Sequence, residues 1–405
     1  DGADCTIAGA CTAGANCQAG SCVPGTKAKV YMAQVTKYVD GEGQAILATS
    51  TGAVVGIRAN MVVKGPDGKD KAKDHVWVVR QVDETGDEVS ERMISPKKFG
   101  GAGPIAGIAD LGGGVFVIGG TQQGLHKEIR MVAYAGPTKE PKVVWDRTLA
   151  TTSDELATSL VGHPFGGFLV SGAVASAGPN PVTSARIHKL SQAGTQQWQW
   201  ALGKQPSGKA SSVRIDAIAG LASGETLGVG SSHADPVGIE VGWVVGLDKT
   251  GKLLWQQTFG DTAAQRFRGL TAMSGGGGVA VGEVGSVNDP RGWIVRFDAA
   301  GKLLWTSVAS VRSTYADVIA GHNDRLVLAG TNWTSATKTD GVLLGKDRYG
   351  NFVWDKTVDF GVNERLLALD LTAIGGVLAT GHGGKSPALV STDPWGRSSC
   401  AEAGG

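Results

Sequence analysis

The sequence predicts an all-β repeat fold, and three observations predict it. Gly242-Trp-Val-Val-Gly-Leu-Asp-Lys-Thr-Gly-Lys-Leu-Leu-Trp255 returns almost unchanged as Gly292-Trp-Ile-Val-Arg-Phe-Asp-Ala-Ala-Gly-Lys-Leu-Leu-Trp305 and, more loosely, as Gly341-Val-Leu-Leu-Gly-Lys-Asp-Arg-Tyr-Gly-Asn-Phe-Val-Trp354, at offsets of about fifty residues. From Val30 onward, β-rich runs alternate with glycine-rich turns, and no amphipathic helical pattern exceeds a turn or two. Glycine supplies 63 of 405 residues without a Gly-X-Y period, gathering at the ends of apolar runs where tight turns need positive φ. Four strands repeating near fifty residues are the pattern of a propeller blade. The expected fold is a single seven-bladed β-propeller of four-stranded antiparallel blades over residues 27–400, preceded by a Cys-rich tail, 1–26, and followed by a short tail, 401–405.

In chain order, the first 26 residues carry Cys5, Cys11, Cys17 and Cys22 among Ala, Gly, Thr, Ser and Asn, with no His and no C-x₂-C pair, which favours disulfides over zinc. Lys29 to Thr36 has the character of an outer strand with no blade of its own. The clearest unit runs from Arg266 to Met273, Gly278 to Val284, Gly292 to Asp298 and Lys302 to Val308. A glycine closing each second strand (Gly56, Gly119, Gly172, Gly230, Gly282, Gly330, Gly381) counts seven units, with a polar insertion between Arg58 and His75. In the third, Ser191 replaces the turn aspartate; the second keeps Trp145 but blurs the turn near Gly136. In the last, Asp393-Pro-Trp-Gly396 repeats the turn, and the chain then all but stops. The N-terminal strand is therefore expected to complete the last blade and cover its edge. Cys400 falls where other repeats carry tryptophan, so a disulfide to the N-terminal cluster, with Cys22 the favoured partner, would lock the ring.

With 38 basic and 37 acidic residues, the chain has no field suited to nucleic acid or an anionic membrane, and no apolar run long enough to span a bilayer. The cysteine usage points to an exported, extracellular or cell-surface protein.

The Asp-x-x-Gly-x-x-x-Trp signature at Asp248/Gly251/Trp255, Asp298/Gly301/Trp305 and Asp347/Gly350/Trp354 has a structural reason: Asp accepts turn amides, Gly takes the left-handed position and Trp covers the neighbouring sheet. Over residues 213–361 it resembles the tryptophan-docking repeats of quinoproteins and related secreted bacterial propellers, and the cysteine tail resembles the Cys-rich boxes of exported myxobacterial proteins. For the quinoprotein dehydrogenases that resemblance implies eight blades, often an adjacent cysteine pair, and a Glu/Asn/Asp calcium set at the axis; with seven candidate blades and no adjacent cysteines here, pyrroloquinoline quinone is not expected. Sialidase-type Asp boxes place tryptophan one residue closer to glycine. No cofactor is expected, although the loops at Asn288-Asp-Pro-Arg-Gly and Asp235-Pro-Val-Gly have oxygen donors that calcium takes.

Arg214, Arg266 and Arg365 each stand sixteen residues before a strand-closing glycine, which places them together near the channel mouth. They can converge on a carboxylate, sulfate or sugar acid, or each can pair with a neighbour such as Asp216, Asp261 or Glu364. Trp333 is expected on the loop face and Tyr315 near the axis. His126, His233 and His382 fall in loops of one face without metal-ligand spacing, and no catalytic constellation appears. The expected function is a non-enzymatic module presenting its loops, among them 58–75, 173–184, 231–241 and 332–340, to a protein or glycan. A carbohydrate-active or quinone-dependent enzyme using the channel, or a cell-surface scaffold or filament subunit, are the alternatives.

Overall fold

In a computed structural model of the chain, the described residues are 16–18, 21–23, 32–34, 39–64, 70–95, 101–123, 126–136, 141–149, 153–175, 183–202, 212–233, 239–260 and 263–397. The strands begin with β1 (Asn16–Gln18), β2 (Ser21–Val23) and β3 (Met32–Gln34). One four-stranded sheet follows from β4 (Val39–Thr49), β5 (Gly52–Lys64), β6 (Asp70–Asp83) and β7 (Glu88–Ile94), a second from β8 (Ala102–Gly112), β9 (Val115–Gln122), β10 (Glu128–Ala135) and β11 (Lys142–Leu149). The third comprises β12 (Glu155–Gly162), β13 (Phe168–Ala175), β14 (Thr183–Leu190) and β15 (Gln196–Ala201); the fourth, β16 (Val213–Gly220), β17 (Thr226–His233), β18 (Glu240–Leu247) and β19 (Leu253–Phe259). A seven-stranded sheet then runs through β20 (Gln265–Ala272), β21 (Gly278–Ser286), β22 (Asp289–Phe297), β23 (Leu303–Ala320), β24 (Leu326–Trp333), β25 (Thr339–Lys346) and β26 (Phe352–Val358). The last four-stranded sheet joins β27 (Glu364–Leu371), β28 (Val377–Gly383) and β29 (Ser386–Thr392) to β3. All of these pairings are antiparallel, and the ring they form is a β-propeller.

The expectation of seven separate four-stranded blades is corrected by this topology: the ring has five four-stranded sheets, and a single seven-stranded sheet occupies residues 265–358. The cause lies in β23, whose 18 residues contain neither Gly nor Pro. Thr306 to Thr314 is a run of Ser, Thr, Val, Ala and one Arg, so an outer strand continues unbroken into the next inner strand. Counting one glycine per repeat assumes a break at every such connection.

β3 lies beside β29 with Gln34 opposite Ala388 and Met32 opposite Val390, so the N-terminal region contributes an outer strand. In the β1–β2 hairpin Cys17 and Cys22 are register partners. Cys5, Cys11 and Cys400 lie outside the described residues, and with them the expected link from Cys400.

The core consists of clusters between neighbouring sheets. Val229 and Val244 pack with Phe267, Trp293 and Phe297, and the Phe267 and Trp293 rings stack at 4.5 Å. Strand-closing glycines let the bulged inner strand lie close against its neighbour in the same sheet: a Cβ on Gly230, Gly282, Gly330 or Gly381 would collide with the carbonyl of Arg214, Arg266, Thr314 or Arg365. In β9 that place belongs to Gly120, opposite Ile105, rather than to Gly119.

Candidate functional site at the channel mouth

The innermost strands β4, β8, β12, β16, β20, β23 and β27 enclose an axial channel of about 600 Å³. Each carries a bulge near its middle, where one residue has no partner: Gln44, Ala106, Thr158, Asp216, Arg268, Ala316 and Leu367. A bulge re-aims the extra side chain, and all of these residues line the channel. Two adjacent bulges carry opposite charges, Asp216 on β16 and Arg268 on β20.

The arginines sit one pleat nearer the loops that join second to third strands. Arg214 lies opposite Ser231, Arg266 opposite Glu283 and Arg365 opposite His382. Arg214 Nε donates to Asp216 Oδ1 at 2.5 Å. Glu283 accepts from Arg266 Nη2 at 2.9 Å, and from Arg268 through Nη2 at 2.9 Å and Nε at 3.1 Å. Burial pushes the Asp216 carboxyl up, although Arg214, Arg266 and Arg268 all pull it down. Burial also acts to raise Glu283, but its two guanidinium partners outweigh it and hold the carboxyl below its ordinary value. Asp216 Oδ2 and Arg266 Nε are buried without a partner. Two of the three expected arginines are thus brought together, with Arg268, which the sequence reading missed. Arg365 is exposed beside a second group, in which His382 Nε2 lies 3.9 Å from Glu42 Oε1 and Glu42 accepts from Gln44 Nε2 at 2.7 Å. Burial lowers the His382 imidazole, with Glu42 opposing and Arg365 assisting.

Farther along the channel wall the carboxylates serve the ring itself. Asp317 Oδ2 accepts the Leu369 amide at 3.0 Å, and Asp370 Oδ2 accepts the Ala48 amide at 2.8 Å, each stapling one inner strand to the next. Burial raises both, Asp317 to about 7.

Tyr315 is buried, its ring packed on Gly292 and its hydroxyl pushed up by burial. Trp333 is half-buried at the end of β24, with the Arg312 guanidinium 4.7 Å above its ring. His126 lies 3.5 Å from Asp154, far in sequence from the His382 and Glu42 group. Asp289 binds Arg291 at 3.1 Å, while Asp235 lies outside the described residues. Among the described residues, Asp340, Asp359 and Glu364 gather with carboxylate oxygens within 4.8 Å of one another. The Lys338 ammonium stands among them, 3.0 Å from Asp359 and 3.4 Å from Asp340, and Glu364 Oε1 accepts the Phe360 and Val362 amides, both at 3.0 Å. Among the described residues no helix is long and apolar enough to cross a membrane.

No protein-family model matches this chain, and no curated protein sequence matches it. Solved structures do match in shape. A protein of unknown function from Dyadobacter fermentans aligns at a TM-score of 0.53 and 10% identity, covering 74% of this chain and 96% of that one. Sqt1 from Chaetomium thermophilum aligns at 0.52 and 11%, covering 90% and 98%. The β-propeller domain of the trilobed protease from Pyrococcus furiosus aligns at 0.48 and 9%, covering 88% and 96%. At these identities the likeness concerns the fold.

Proposed function

We propose that the protein is an exported, non-enzymatic binding module that takes an acidic glycan at the loop-side mouth of its channel. The observation that carries this reading is the convergence of Arg214, Arg266 and Arg268 on Asp216 and Glu283, with one carboxylate oxygen and one guanidinium N–H left unpartnered. The exposed sides of the Arg214 and Arg268 guanidinium groups can meet a uronate carboxylate, a pairing that favours arginine over lysine. Three guanidinium groups against two carboxylates leave this group one positive charge in excess. Half-buried Arg58 and exposed Arg365 add to it, against Glu42.

The test is calorimetric titration with glucuronate-containing oligosaccharides and their neutral counterparts. Binding should weaken with salt, and the triple substitution Arg214→Ala, Arg266→Ala, Arg268→Ala should abolish it while the β-sheet circular dichroism persists. Equal affinity for neutral sugars, or unchanged binding in the folded triple variant, overturns the proposal.

A further inference from the structure

Five outer strands each plant an indole on the turn of the following repeat. Trp145, Trp198, Trp255, Trp305 and Trp354 lie against Gly194, Gly251, Gly301, Gly350 and Gly396, whose φ angles run from +73° to +86°. Trp145 donates its ring N–H to the Gln192 carbonyl at 3.0 Å, and Trp255 to the Ala299 carbonyl at 2.9 Å, each two residues before the glycine. The register is shared. Each of these tryptophans is the first paired residue beyond a bulge between third and fourth strands, as Trp255 is opposite Gly246 and Trp145 opposite Ala133.

In β7 the same place is held by Ser90, opposite Gln81 beyond an equivalent bulge. Ser90 is buried and donates to Gln81 Oε1 at 2.9 Å. Its hydrogen-bond partner Gln81 and its chain neighbour Val89 line a cavity of about 720 Å³ that runs between the β4–β7 and β8–β11 sheets and reaches Leu371 at the end of β27 and Ala373 just beyond it. Its walls include Leu47, Val82, Val89, Val115 and Phe116, and Gly136, which opens the β10–β11 turn, lies at its edge. A dry apolar cavity of ~150 Å³ already holds benzene. The cleft opens on the face opposite the arginine rim, since its lining includes Thr49 to Thr51, which connect β4 to β5, and Asp83 at the end of β6.

We propose that this cleft receives a tryptophan side chain from a partner polypeptide, seated as the chain's own indoles are seated at the equivalent junctions. Two features favour a polypeptide. Among the described residues β7 is the last strand of its sheet, an edge that can pair with an extended segment, and Val89 and Met93 on it are 44% and 48% exposed. An added strand along β7 would carry its side chain into the place that Ser90 leaves open.

The experiment titrates N-acetyl-L-tryptophanamide into the whole protein by calorimetry, with N-acetyl-L-leucinamide as control. The tryptophan derivative should bind and the leucine derivative should bind at least tenfold more weakly. Ser90→Trp should supply the missing indole from within, raising the melting temperature and lowering probe affinity at least tenfold. Should that variant misfold, Val89→Asp at the exposed wall provides the same readout of affinity. No binding by the wild type, or equal binding by a folded Ser90→Trp protein, overturns the proposal. So does concentration-dependent self-association that Ser90→Trp removes in the absence of probe binding, which assigns the cleft to a second copy.

Discussion

If the outer-strand tryptophans join repeat to repeat, then Trp255 and Gly301 must be energetically coupled, and the structure supplies the size of the coupling. Trp255 is half-buried and donates one hydrogen bond to the Ala299 carbonyl. Burying roughly 100 to 150 Å² of ring at about 25 cal/mol/Å² contributes about 3 kcal/mol, and the hydrogen bond about 1. Trp255→Ala should therefore cost about 4 kcal/mol, within the range found for buried aromatic truncations. Gly301→Ala meets two penalties. Its φ of +80° costs an L residue about 1–2 kcal/mol, and its new Cβ lies 2.6 Å from the Trp255 ring, adding about 1–3 kcal/mol of overpacking. Once Trp255 is removed only the first penalty survives. The double variant should fall short of the sum of the singles by about 1–3 kcal/mol, read from urea denaturation midpoints at a constant slope. Strict additivity would refute the docking role.

Two further outcomes follow from buried contacts. The Asp317 carboxyl is held at about 7 in the fold against 3.8 when unfolded, so the native state binds this proton more tightly. The sign is therefore that of a raised acid: the stability it contributes is complete below about pH 4 and is lost as pH rises to about 7, roughly 4 kcal/mol in all. Asp317→Asn should flatten the decline of melting temperature between pH 5 and pH 8 relative to wild type, and parallel curves would contradict it. Gly230→Ala, whose Cβ would collide with the Arg214 carbonyl, should cost about 3 kcal/mol, whereas Gly275→Ala, with no atom within 4 Å of the new carbon, should be neutral or stabilise by up to about 1 kcal/mol. Thermal melts of the pair decide whether close approach of the bulged inner strand, rather than glycine as such, is what matters.

Composition and spacing carried the all-β repeat, because each third-to-fourth strand turn is built locally. Asp248, Asp298 and Asp347 accept the amides two and four residues on, as Asp-x-x-Gly implies. The same turn at Asp83 to Gly86 escaped notice because Ser90, not tryptophan, follows it. The number of separate sheets was not legible, since β23 joins two repeats through residues that give no stop signal. The site was only half legible. Arg214, Arg266 and Arg365 share a spacing that sequence can detect, but Arg268 and Asp216 act through bulges, and a bulge depends on tertiary register. Arg266 pairs with Glu283 across the hairpin, a partner set by strand pairing rather than by chain proximity, while Asp261 lies outside the described residues.

The unbroken course of β23 also bears on how such a chain can gain or lose units. Repeat arrays change length when a whole unit is excised or duplicated between two loops, where the cut falls on exposed backbone. Between residues 303 and 320 there is no loop to cut. Any excision there severs a strand whose first part, Leu303 to Arg312, pairs with β22 and whose second part, Ser313 to Ala320, pairs with β24. Trimming the ring by one repeat should therefore succeed only elsewhere along the chain, and an excision between residues 303 and 320 should abolish cooperative unfolding.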